Sequence, residues 1–134
     1  FAMRSRINVE SYHGNYEVTN LINNCLGLII IPKDHYLISA PTYELSEEAN
    51  AFGISRSNIQ QLDGGNYSLS NVVRHIRNGL SHGLIDQQTE NGEIVALRIY
   101  DRINDKGPDN FSITLTIDEL KSFSFALANL LFHE

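Results

Sequence analysis

Apolar residues recur at three- and four-residue steps through the middle of the chain. Leu69, Val72, Val73, Ile76, Leu80 and Leu84 line one stripe of an amphipathic helix spanning Ser68 to Ile85. Gly83 reads as its C-terminal stop. Val18, Leu21, Ile22, Cys25, Leu26 and Ile29 predict an earlier helix from about Tyr16 to Ile30, ended by Pro32. After Ile85 the period changes to two. Val95, Leu97, Ile99 and Ile103 fall on one face of a strand, with Arg98, Tyr100 and Arg102 on the other. Phe111, Ile113, Leu115 and Ile117 alternate with Ser112, Thr114 and Thr116, and the turn-rich residues 104–110 join the two runs into a hairpin. Thr116 and Glu119 form a capping box opening a last helix to about Phe132. Leu120, Phe123, Leu127, Leu130 and Leu131 lie on its packing side, and Phe125 also reads as helix packing. Residues 1–15 read as a lead-in. Ser46–Phe52 and Ser55–Leu62 read as short helices, and Asp63-Gly-Gly-Asn66 breaks the chain before the central helix. The expected fold is mainly α: a helical bundle with a small antiparallel β-hairpin before the C-terminal helix, in one domain over residues 1–134.

The polar face of the central helix carries the candidate chemistry. At 100° per residue, Asn71, Arg74, His75, Asn78, Ser81 and His82 fall opposite the stripe, and Arg77 stands at its border. A guanidinium can hold a phosphate through paired hydrogen bonds, an imidazole can move a proton near neutral pH, and an amide can orient either. No acidic residue lies between Gly64 and Ile85, so the field around Arg74, Arg77 and His82 is expected to be locally positive. Gly79 interrupts the helix at a cost of about 0.8–1 kcal/mol relative to Ala, which points to a close approach there.

At Arg77-Asn78-Gly79-Leu80-Ser81-His82 the chain resembles the HEPN domains, with their Arg-x(4–6)-His pattern in the form that has Asn after Arg. Val18 to Pro32 is similar to the first long helix of a bacterial branch of that family, and the closing β segment and last helix are similar as well. The resemblance implies a metal-independent endoribonuclease, with Arg77, Asn78 and His82 as catalytic residues and no cofactor. It implies a homodimer in which two central helices meet, with Gly79 at the contact, so that both Arg-His pairs border one RNA cleft. It also implies a toxin or anti-phage role, with a neighbouring antitoxin as a partner. Some members have Tyr two residues after the His; Leu84 stands here, which sets aside nucleotidyl transfer onto that position. Two other readings stay open: a catalytically inert HEPN module that binds a nucleotide or a protein, and a dimerising regulatory subunit whose Arg-His face is an interface.

Composition narrows these choices. A net charge of −6 disfavours diffuse coating of nucleic acid and leaves a local site as the route to RNA. Arg74, His75 and Ser81 are the candidate RNA contacts beside the motif; Arg74 and His75 fit a plain solvent-facing role equally well. His75 and His82 lie two turns apart, about 10.5 Å, too far to share one metal ion. The single Cys25 reads as a buried core thiol. Asn20 and Asn24 read as solvated positions rather than as part of the site, and Arg98, Tyr100 and Arg102 as a solvated strand face in preference to an RNA-stacking surface. His13, His35 and His133 read as surface residues. Met3, the only methionine, can be the natural start, with Phe1-Ala2 outside it. No secretory signal or membrane-length apolar run is visible, and a reducing cytoplasm is the expected location.

Overall fold

The computed structural model describes residues 19–25, 27, 44–45 and 53–132. Residues 19–25 are helical, with Ile22 and Cys25 buried and Asn20, Asn23 and Asn24 exposed, as the spacing predicts. The lead-in, the 46–52 helix and His13, His35 and His133 lie outside the described residues.

The expectation of a mainly α bundle is overturned. The chain is mixed α/β, built on a four-stranded antiparallel sheet in the order β1-β4-β3-β2. The strands are β1 (Ile59–Leu62), β2 (Ile85–Glu90), β3 (Glu93–Arg102) and β4 (Asp109–Thr116). The hairpin read from alternation is present as β3 and β4, in register from Ala96↔Thr116 to Asp101↔Phe111. It is the centre of a larger sheet. β2 pairs with β3 through a tight turn at Asn91-Gly92, whose φ values of 53° and 80° suit the strand twist of a two-residue hairpin loop. Where a short helix was expected at Ser55–Leu62, a 3-10 turn (Arg56–Asn58) runs into β1, which pairs with β4. Asn58 fixes that turn: its side chain accepts from the Ser55 N–H and donates to the Thr114 carbonyl and to Glu119.

One face of the sheet carries the core. Leu97 and Ile99 of β3 and Phe111, Ile113 and Leu115 of β4 are buried, and each pairs across the strands with another inward residue: Leu97 with Leu115, Ile99 with Ile113. The central helix (Leu69–Ser81) lays Leu69, Val72, Val73 and Ile76 on this face. The C-terminal helix (Ile117–Phe132) adds Leu120, Phe123 and Leu127. Full burial of such side chains contributes roughly 1.5–3 kcal/mol each, so the two helices and the sheet stabilise one another as a single two-layer core. The C-terminal helix starts as expected: Glu119 Oε1 accepts from the Thr116 N–H at 2.9 Å and Thr116 Oγ1 from the Glu119 N–H at 3.1 Å. Phe125 differs from the reading, being 48% exposed. Ile103 is also exposed, because β3 ends at Arg102 after a register shift at Asp101/Arg102 and does not carry the alternation further. Among the described residues no helix is long and apolar enough to cross a membrane.

Candidate active site

Ser68 starts the central helix by accepting from the Asn71 N–H through its hydroxyl. The helix stops one turn past Asn78. His82 is the C-cap residue, and its N–H donates to the Asn78 carbonyl at 3.1 Å. Gly83 follows with φ +69°, a left-handed conformation glycine adopts without steric cost. The Gly83 N–H donates to Leu80 O, and the Leu84 N–H to Gly79 O at 2.8 Å. These two bonds make a Schellman ending. Its effect is to leave His82 exposed at the tip of the helix, immediately before β2. There its imidazole is exposed at the end of the helix.

Arg77 lies five residues back, before the last turn of the helix, and is half-buried. Desolvation holds its guanidinium below the ordinary arginine range.

Asn78 faces the sheet. Its Nδ2 donates to Asp101 Oδ2 at 3.3 Å. The same oxygen accepts from His75 Nδ1 at 2.7 Å, while Asp101 Oδ1 accepts from the Arg102 N–H at 2.8 Å. His75 and Asp101 are both buried, at 6% and 4% exposure. The His75 ring also stacks on Phe111 at 4.8 Å between centroids. His75 therefore does not share the outer face with His82, contrary to the helical-wheel reading. Residue 75 is three past Val72 and four before Gly79, within the sector that packs on the sheet. Nor is the motif's surroundings free of acid: the stretch 64–85 lacks carboxylates, but β3 supplies one.

Of the other expected RNA contacts, Arg74 is exposed and donates to Asn71 Oδ1 at 2.7 Å, and Ser81 is exposed. Gly79 is buried, and its close approach is made within the chain. A Cβ added there would fall onto the Tyr100 carbonyl oxygen and lie 3.0 Å from Ile99 Cγ2. On the outer face of the sheet, Arg98 and Arg102 both lie over the Tyr100 ring. Arg98 pairs with Asp86 and Asp109, and Arg102 with Asp109, so their charge is largely answered within the sheet. Among the described residues no group of three His, Cys, Asp or Glu side chains is placed to hold a metal ion.

Asp101 is the residue that helical and alternating patterns did not bring forward. Its signal was its parity: Leu97, Ile99 and Asp101 occupy successive inward positions of one strand, so a carboxylate continues a buried apolar row.

A helix that carries Arg77-Asn78 and ends on His82 places the chain among the HEPN domains. The family model described as HEPN pEK499 p136 matches residues 1–134, and the chain belongs to that family. HEPN domains are typically ribonucleases. Comparisons with curated proteins and with solved structures return no match.

Proposed function

We propose that this HEPN domain is a metal-independent endoribonuclease with Arg77, Asn78 and His82 as its active residues. The observation that carries the reading is the end of the central helix, where an exposed imidazole caps the helix and a half-buried guanidinium lies five residues before it. In the proposed reaction the RNA 2′-oxygen attacks the adjacent phosphorus and the bond to the 5′-oxygen breaks. The 2′-hydroxyl proton is taken up and the leaving 5′-oxygen is protonated, giving a 2′,3′-cyclic phosphate and a 5′-hydroxyl. His82 transfers protons, and Arg77 binds the phosphate and stabilises the charge that grows on its oxygens.

One imidazole cannot remove one proton and deliver another at the same moment. A homodimer that brings two His82 side chains to one cleft meets that need, and Arg74 and Ser81, on the exposed side of the helix, extend the surface available to the RNA backbone. A toxin or anti-phage effector, held in check by a partner protein in the cytoplasm, is the physiological role that accords with such an activity.

The test is cleavage of single-stranded RNA in excess chelator by the parent and by His82→Ala. The parent should cut, leave cyclic-phosphate ends and spare DNA, which lacks the attacking hydroxyl. His82→Ala should lower turnover by about 10²–10⁴-fold with RNA affinity little changed. Equal cleavage by a dimeric His82→Ala would replace the catalytic assignment with an interaction-module reading.

A further inference from the structure

Asn78 is joined to two groups at once. Its side-chain Nδ2 is bonded to Asp101, and its backbone carbonyl receives the N–H of His82. The first of these bonds decides which way the amide points. A side-chain amide has a donor end and an acceptor end that are close to the same size, and only the surrounding hydrogen bonds tell them apart. Asp101 Oδ2 already accepts from His75 Nδ1, and a carboxylate oxygen has nothing to donate. The donor end of Asn78 is thus turned to the sheet and Oδ1 away from Asp101.

Asp101 is itself held firmly. It lies at an inward position of β3, its other oxygen takes the Arg102 N–H, and its cross-strand partner Phe111 stacks on the ring of His75. His75 and Asn78 are three apart on the helix, so one carboxylate grips both. His82 is four residues beyond Asn78 and neighbours it on the helix surface.

We propose that Asp101 is a positioning residue for His82, acting through Asn78. By taking the amide's donor end, it leaves Asn78 Oδ1 available to a ring N–H of His82, whose exposed imidazole makes no side-chain hydrogen bond among the described residues of this structure. Once formed on the bound RNA, that bond selects the imidazole tautomer and leaves the other ring nitrogen to exchange a proton with RNA. Asn78 accordingly orients the imidazole and does not donate to the phosphate oxygens. This inference rests on the ribonuclease reading, but the amide orientation has its own readout.

The experiment combines kinetics with the side-chain amide resonance of Asn78, assigned by its loss in Asn78→Ala. In the ¹⁵N-labelled parent, one Asn78 Nδ2 proton should exchange with water markedly more slowly than the side-chain amides of exposed asparagines. Free exchange there overturns the proposed orientation whatever the activity. In RNA cleavage, Asp101→Asn should lower kcat about 10–100-fold and leave KM within about twofold, since it displaces a proton-transfer group and not the phosphate contact. The exchanged pair, Asn78→Asp with Asp101→Asn, restores a donor on the strand and an acceptor on the helix, and should recover most of the lost kcat. A purely structural contact would show its effect in unfolding by urea and not in the kcat of fully folded protein. Unchanged kcat in folded Asp101→Asn, or a folded exchanged pair no better than the single variant, overturns the positioning role. If Asp101→Asn does not fold, Asn78→Ser, which shortens the side chain and loses the amide, should show the same kcat loss at unchanged KM; parent-like kcat overturns the proposal. An inert parent overturns the ribonuclease reading and the kinetic role together, and amide exchange then decides the orientation alone.

Discussion

Gly79→Ala sets two effects of known size against each other at one position. Removing a glycine from a helix interior should stabilise by about 0.8–1 kcal/mol, through reduced backbone freedom in the unfolded chain. Here the added methyl has no room. It would fall onto the backbone oxygen of Tyr100 and crowd Ile99 Cγ2 at 3.0 Å, with the Tyr100 carbonyl carbon at 3.2 Å. The nearest obstacle is backbone in β3, a strand bonded on both sides, so it cannot swing aside as the tip of a long side chain could. The helix must therefore lift off the sheet, weakening the contacts of Val72 and Ile76 and stretching the bonds to Asp101. Overpacking of this kind costs about 1–3 kcal/mol and at times more, so the net outcome is a loss of about 0–2 kcal/mol where helix propensity alone predicts a gain. Urea unfolding followed by circular dichroism, with equal m-values, would measure it. A variant stabilised by the full propensity gain would refute the packing argument. Larger side chains at residue 79 should unsettle the sheet contact before they report on any dimer interface.

Other expectations follow from the same helix. Arg77→Ala should weaken both RNA affinity and turnover, and Arg77→Lys should restore only part, because an ammonium does not reproduce the planar paired donors; filter binding and cleavage on the same preparations separate the two. Light scattering at micromolar concentration should give twice the chain mass, and a monomer that still cleaves RNA would dismiss the two-copy site. Gly83→Ala should destabilise by about 1 kcal/mol, read by thermal unfolding, because a Cβ is strained at φ +69°. If that variant matches the parent in stability, the left-handed ending does not contribute as described.

The parts legible in the sequence were those whose signal is local. Thr116 and Glu119 satisfy each other's backbone donors, Gly83 sits where a left-handed residue ends the helix, and the alternation in 95–101 and 111–117 made two strands. β2 was hidden because Ile-Asp-Gln-Gln-Thr-Glu has a single apolar side chain and is mostly exposed; it is an edge strand held by ladder bonds to β3, and such bonds leave little trace in side-chain pattern. Asn91-Gly92 is a hairpin signal, but without alternation before it the strand did not stand out. β1 is four residues long and is defined by its partner. Within the site, the exposed place of His82 followed from the helix and its stop. The burial of His75 did not, because it depends on a carboxylate 26 residues away that meets it only when the strand packs beneath the helix.

The chain order of the sheet has a kinetic consequence. Central helix, β2, β3, β4 and the C-terminal helix follow one another in sequence, and from β2 onward each strand pairs with the next. Loop closures along this path are short, so residues 68–132 can assemble without bringing distant segments together first. The pairing of β1 with β4, about 50 residues apart, is the long closure and should come later. His75, Asn78, His82 and Asp101 all lie inside the rapidly closing block. In pulsed hydrogen exchange during refolding, the amides of β3 and the central helix should gain protection together and ahead of those of β1. The helix that carries Arg77, Asn78 and His82 then meets the strand that carries Asp101 while β1 is still unpaired.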